Sequence, residues 1–274
     1  MLSAPRHDPA AVAAALGVTD ALFLGGGTFG DTWRVGDQAI KVICVDGYPP
    51  ERVAREVNGL SRVNSQYVVR LHKADKIVLE GSVRPALYFE YVEGGDIQDR
   101  IERAQRPTPA ETEALLAGML TAVRDLHAAD GTIHRDIKPA NIALRNGNWE
   151  APVLLDLGLA KSATETTLTL YPGAVGTPPY MSPEQLKGKR ARKASDLFSV
   201  GVTVRHAYAG VHPFYDPTLD YTYDEAVERV KAGPLPLPGE LPENIQNVLD
   251  LLVSEAQFER GSATSNLRRM GIEA

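Results

Sequence analysis

The chain carries one cysteine, Cys44, in 274 residues. An internal disulfide framework cannot form, and a Cys-rich zinc site is excluded. No stretch approaches the ~18 uninterrupted apolar residues of a membrane span. Residues 1–8 hold no basic region leading into an apolar core, so no secretory leader is expected. Positive charge is also short. The 29 Lys and Arg stand against 35 Asp and Glu, for a formal net charge of −6. Nonspecific nucleic-acid binding needs clustered positive charge to neutralise phosphates. Internal repeats and low-complexity tracts are missing too. The expectation is a soluble, cytoplasmic protein with no nucleic-acid and no membrane partner. What remains, 43% apolar and 23% charged residues, is ordinary for a globular chain. At ~100–200 residues per domain the length suggests one large domain or two lobes.

Residues 9–17 read as a short Ala-rich helix ending at Gly17. From Ala21 the pattern changes to short apolar runs. Residues 21–25, 32–35 and 38–45 read as strands, with Gly36-Asp37 as a tight turn. A helix is predicted over 50–63, because Val53, Val57 and Leu60 recur at helical spacing. Two further strands are predicted over 68–79 and 83–91. After Gly94-Gly95 the pattern turns helical. Thr108-Pro-Ala-Glu111 is a capping box, and Leu115, Met119, Val123 and Leu126 line one face behind it. The expected architecture is α+β and two-lobed. It has a small antiparallel N-lobe with one main helix (about 1–92), a hinge at about 90–95 and a mostly helical C-lobe (about 96–274).

Gly25-Gly26-Gly27-Thr28-Phe29-Gly30 fits G-x-G-x-x-G between two strands. Glycines let backbone amides approach phosphate oxygens with no Cβ in the way. A flexible turn is the competing reading. A dinucleotide fold would need a helix after the glycines, and a hairpin follows instead. Lys41 stands in an otherwise apolar strand. It is either a solvated edge lysine or a phosphate-binding one fixed by an anion, for which Glu56 is placed fifteen residues on. The strongest signal is His134-Arg135-Asp136-Ile137-Lys138-Pro139-Ala140-Asn141, followed by Asp156-Leu157-Gly158. One aspartate, an asparagine and a second aspartate supply a base and two oxygen ligands of the kind Mg²⁺ takes. Singly, each could be a turn former.

In this order the motifs resemble the protein kinase family. Ser182-Pro183-Glu184 follows, preceded by Gly176-Thr177-Pro178-Pro179-Tyr180-Met181. Ser195-Asp196-Leu197-Phe198 is similar to the family's helix-F segment, and Arg260 stands where the family pairs an arginine with the Glu184 position. The resemblance covers nearly the whole chain and is to the Hanks-type serine/threonine kinases. Short loops and Ala-rich composition point to a bacterial or phage source.

The resemblance implies an ATP cleft between the lobes and phosphoryl transfer by positioning and charge stabilisation. The 25–30 loop would cover the ATP phosphates, and Lys41, held by Glu56, would contact them. Asn141 and Asp156 would hold Mg²⁺, Asp136 would take the proton of the substrate hydroxyl, and Lys138 would meet the γ-phosphate. The adenine would meet backbone groups of Glu90 and Val92, with Phe89 as gatekeeper, Ala39 in the pocket and Asp96 at the ribose. Asp96 is equally readable as a helix N-cap. Thr177, Glu184, Asp196 and Arg260 would be structural. Three residues depart from the family pattern. Thr32 replaces a valine above the adenine, Ala143 a larger residue beneath it, and Leu157 the usual phenylalanine. The first two suggest a roomier or more polar nucleotide pocket.

Autophosphorylation is expected at Thr164, Thr166, Thr167 or Thr169, with Arg135 as a receiver of the phosphate. A mobile polar loop is the bland alternative. No membrane span or sensor is expected on this chain. Regulation is therefore expected from a partner protein, from autophosphorylation or from a transient homodimer. Two other functions compete with a protein kinase acting on an unidentified protein substrate. A small-molecule phosphotransferase would lack the 176–184 peptide-site segments. A pseudokinase scaffold would lack one of Lys41, Asp136, Asn141 or Asp156. Cys44 is read as a packed strand residue near enough to the pocket for modification. His7, His206 and His212 show no metal-ligand spacing, and the acidic run from Asp216 to Glu228 is read as a solvated face.

Overall fold

A computed structural model describes residues 4–27, 29–129, 132–155, 179–216 and 218–273, leaving aside the side chains of Arg52, Arg55 and Glu56. The chain divides into two compact units, one of residues 1–62 and 69–91, the other of 63–68 and 92–274.

The first unit is a five-stranded antiparallel sheet in the order β1-β2-β3-β5-β4. Its strands are β1 (Leu22–Gly26), β2 (Gly30–Val35), β3 (Gln38–Ile43), β4 (Leu71–Leu79) and β5 (Ser82–Glu90). Helix α1 (Pro9–Leu16) precedes them, and α2 (Pro50–Leu60) lies between β3 and β4. The β4 strand begins three residues later than its apolar run suggests. Val68 instead belongs to the second unit, where it bridges in parallel to Leu154. Helix α2 stops at Leu60 rather than 63. The Ser61 hydroxyl donates to the Asn58 carbonyl, a local bond that competes with helix continuation.

The segment ahead of β1 belongs to this unit. Asp8 caps α1 by accepting the Ala10 N–H at 3.0 Å, and Gly17 ends it in the left-handed region. Val12, fully buried, joins Trp33, Ile40, Val42, Ile77, Leu79, Ala86 and Tyr88 in one cluster. Helix α1 thus contributes Val12 to this unit's core.

The second unit is mostly helical. Its helices are α3 (Ile97–Glu102), α4 (Pro109–Ala128), α5 (Pro183–Leu186), α6 (Lys193–Ala209), α7 (Tyr223–Lys231), α8 (Glu243–Leu252) and α9 (Ala263–Arg269). A two-stranded ribbon, β6 (Ile142–Leu144) with β7 (Pro152–Leu154), lies beside α4. Thr108 and Glu111 form the reciprocal capping box of α4. Leu115, Leu116, Met119, Leu120, Val123 and Leu126 are completely buried, where α4 packs on α6 and α9. At ~1.5–3 kcal/mol for each such side chain, this face supplies on the order of 10 kcal/mol, an upper estimate. Among the described residues no helix is long and apolar enough to cross a membrane.

Candidate active site

In the first unit, β1 and β2 present the glycine loop. Gly27 N–H donates to the Gly30 carbonyl at 2.8 Å, closing the loop on itself. A Cβ on Gly30 would come within 1.9 Å of the Val42 carbonyl oxygen, so only glycine lets β2 lie this close to β3. Phe29 packs edge-on against Tyr48 at 5.7 Å between ring centres. Lys41 sits on β3, an interior strand, in register with Thr32 on β2 and Leu87 on β5. It is buried, which sets aside the reading of a solvated edge lysine. A buried ammonium needs an anionic partner. Glu56, the residue expected to supply it, lies on α2 with its side chain outside the description. Cys44 follows β3, half-buried, and burial pushes its thiol above the ordinary value. A thiol so held is a poor nucleophile, which weighs against its ready modification.

Ala39 pairs with Phe89 across β3 and β5. At the end of β5, Glu90 N–H donates to the Arg70 carbonyl at 3.0 Å. Its amide is therefore spent, and any base contact at Glu90 falls to the carbonyl. Val92 is buried in the second unit. There Gly94, at φ 129°, lies where a Cβ would meet the Leu144 carbonyl oxygen at 2.1 Å. Asp96 caps α3, accepting the Asp99 N–H at 2.8 Å, and bridges to Ala143 on β6. Burial pushes its carboxyl up to about 6.

The 134–141 loop of the second unit is fixed at every turn. His134 donates from Nε2 to the Leu155 carbonyl at 2.8 Å, while its Nδ1 accepts the Asp136 N–H. Asp136 Oδ2 accepts Lys138 Nζ at 3.0 Å and Asn141 Nδ2 at 3.2 Å. Asn141 Nδ2 also donates to the Asp136 carbonyl at 2.7 Å. That use of the nitrogen assigns the Asn141 amide oxygen to any cation, and an amide oxygen suits a hard divalent ion. Asp156, the other expected ligand, lies outside the described residues, as do Thr164, Thr166, Thr167, Thr169 and Thr177.

Asp196 on α6 holds the loop from beneath. Completely buried, it accepts the N–H groups of His134 and Arg135 at 2.9 and 2.8 Å, and His127 Nε2 at 2.8 Å. Further on, Arg260 Nη1 donates to both oxygens of Glu184, at 2.9 and 3.2 Å, and its guanidinium lies over Phe198. Burial would raise the Glu184 carboxyl. The Arg260 charge, with hydrogen bonds from Arg260 and Ser195, outweighs that and holds it below its ordinary value.

The sequence shows only that His206 and His212 lack metal-ligand spacing; the structure places them against Tyr180 and Pro179. His212 Nε2 faces the Pro179 carbonyl at 3.0 Å and must donate, while its Nδ1 faces the N–H groups of Phe214 and Tyr215 and must accept. The ring is therefore neutral, and burial pushes its pKa down to about 3. His206 Nδ1 meets the Tyr180 hydroxyl at 2.7 Å, and burial takes His206 to about 4. No local spacing announces this group, because its members lie up to 33 residues apart. His127 escaped notice for the same reason. The acidic run resolves into local caps. Asp216 accepts from Thr218, and Glu225 closes the capping box of α7 with Thr222.

Comparison with known proteins adds to this geometry. A model described as "Protein kinase domain" matches residues 21–270. The chain is 30% identical over 232 residues to the "Probable serine/threonine-protein kinase SCO3848" of Streptomyces coelicolor, covering 81% of this chain and 33% of that one. Against the serine/threonine-protein kinase PknB of Mycobacterium leprae it is 29% identical, covering 80% and 35%. Against PknA of Mycobacterium tuberculosis it is 29% identical, covering 82% and 53%. The chain thus spans between about a third and a half of the length of these relatives.

Proposed function

The chain belongs to the protein kinase family, its sheet unit and helical unit being the two lobes of that fold, and on this premise we propose that it is a serine/threonine protein kinase using Mg²⁺ and ATP. The observation that carries the proposal is Asp136, oriented by a cation and an amide on a loop hung from Asp196. An aspartate so placed accepts the proton of a substrate hydroxyl as its oxygen bonds to the γ-phosphorus, the bridge to the β-phosphate breaks, and ADP leaves. Lys138 and Lys41 place positive charge against the phosphates, with Glu56 as the anion for Lys41. Bound magnesium, with Asn141 and Asp156 as ligands, would supply further positive charge to the transferring group. The glycine loop is assigned to the phosphates, and Thr32, Ala39 and Glu90 of the sheet unit and Val92, Asp96 and Ala143 of the helical unit to the nucleoside.

A protein acceptor is favoured over a small molecule by the 176–184 segment. The Arg260–Glu184 pair locks its end, and His212 and His206 brace Pro179 and Tyr180. Such investment in holding one segment suits recognition of a peptide. His134-Arg135-Asp136-Ile137-Lys138 favours serine or threonine over tyrosine as acceptor. Autophosphorylation among Thr164, Thr166, Thr167 and Thr169, control by a partner protein or a transient homodimer, and a cytoplasmic location complete the reading. Phosphopeptide mapping after incubation with Mg·ATP tests it. Phosphoserine or phosphothreonine on an added protein is the expected result. Consumption of ATP with no protein-bound phosphate would refute the acceptor class.

A further inference from the structure

We propose that the segment ahead of the family match, residues 6–16, is a clamp on the glycine loop, with Arg6 as the positioning residue. The inference rests on the reading of that loop as the nucleotide-phosphate cover.

Three donors of Arg6 converge on the loop. Its backbone N–H donates to Asp31 Oδ2 at 2.7 Å, its Nη1 to Asp31 Oδ1, and its Nη2 to the Gly27 carbonyl at 2.6 Å. Asp31 is completely buried and stands one residue past Gly30. A carboxylate removed from water at that position requires a cation. Among the described residues Arg6 supplies both that charge and an N–H for the Gly27 carbonyl, since the guanidinium is a rigid fork of donors.

Gly27 is thereby held through both of its backbone groups, its N–H by the Gly30 carbonyl and its own carbonyl by Arg6. A glycine would otherwise sample the widest backbone space of any residue. An ion pair meant only to stabilise β2 would have no use for the Gly27 contact.

The arm is itself anchored. His7 Nδ1 meets Glu80 Oε2 at 3.0 Å at the β4–β5 turn, Asp8 caps α1, and α1 packs on β4 with Val12 in the core. The family match begins only at residue 21. Arg6 therefore reaches the loop from a part of the chain that the family pattern does not include.

The test compares wild type with the paired variant Arg6→Leu, Asp31→Asn and with Arg6→Lys. The pair removes the buried carboxylate together with its cation, so the fold is not left with an unpaired charge. Hydrogen exchange over 22–30 is read alongside KM for Mg·ATP, KM for the protein substrate and kcat. In the paired variant exchange over 22–30 speeds up while 38–43 and 82–90 stay protected. The KM for Mg·ATP rises about tenfold while that for the protein substrate stays within about twofold. Arg6→Lys keeps the charge without the fork and falls between the two. Unchanged exchange at the loop overturns the proposal, and so does faster exchange with an unchanged KM for Mg·ATP. A wild-type protein that binds no Mg·ATP refutes the nucleotide reading instead, before any substitution is compared, and the clamp's role falls with it.

Discussion

The carboxylate of Asp196 accepts the backbone N–H of Arg135 at 2.8 Å across 61 residues. Arg135 has φ 71°, in the left-handed region that a non-glycine residue enters at a cost of about 1–3 kcal/mol. Three donors converging on one buried carboxylate hold it there. Asp196→Ala orphans two loop N–H groups and the His127 ring. We predict a loss of about 3 kcal/mol in urea unfolding and a fall in phosphotransfer at unchanged affinity for nucleotide. Asp196→Asn keeps one acceptor oxygen and falls between.

The Arg260–Glu184 pair makes a second prediction. Arg260→Ala leaves a buried carboxylate without its cation and is expected to cost about 3–5 kcal/mol. Replacing both residues with apolar side chains of similar volume recovers most of that loss, as a double-mutant cycle by denaturant titration would show. The sign of the pH dependence follows from Glu184, whose folded pKa lies below its unfolded value. Its contribution is fully present above about pH 4.5 and is lost as the pH falls through the folded pKa.

The histidines behind Tyr180 also titrate against the fold in acid. His206 and His212 take up no second ring proton in the folded protein until about pH 4 and 3, whereas in the unfolded chain they take it up near 6.5. The unfolded state therefore binds more protons, and stability falls as the pH drops below about 6.5. His212→Phe removes part of that slope. It is also less stable at pH 7, because the Pro179 carbonyl and two backbone N–H groups lose their partner. Melting temperatures at pH 7 and pH 5 measure both effects.

Asp96 acts in the opposite direction. Its carboxyl is raised to about 6, so the folded protein binds the extra proton and acidification toward pH 4 favours the fold. Asp96→Asn preserves the cap of α3 without the buried charge. It is predicted to gain about 1 kcal/mol at pH 7.5, after allowance for screening at this half-exposed site, and progressively less as the pH falls from 6 toward 3.8. A calorimetric comparison across this range decides it.

The motifs were legible because their chemistry is written in consecutive residues. His134 to Asn141 forms a single loop, and its internal bonds span five residues or fewer. The hairpin strands and the capping box of α4 were legible for the same reason. What escaped lies in long-range partners. His127 meets Asp196 across 69 residues, His212 meets Pro179 across 33, and Arg6 meets Asp31 across 25. Residues 9–17 announced a helix. Nothing in their spacing announced that the helix would seat Val12 against Trp33 and Ile40, or that the arm before it would reach the glycine loop.

Transfer of labelled phosphate from γ-labelled Mg·ATP to a basic protein, by wild type and by Asp136→Asn, tests the central claim most directly. Asn keeps the shape of the loop and cannot take the hydroxyl proton. The account predicts acid-stable label on serine or threonine with wild type, reduced by at least about a hundredfold in the variant while nucleotide binding persists. Equal labelling by the two proteins, or none by wild type that binds Mg·ATP, would contradict it.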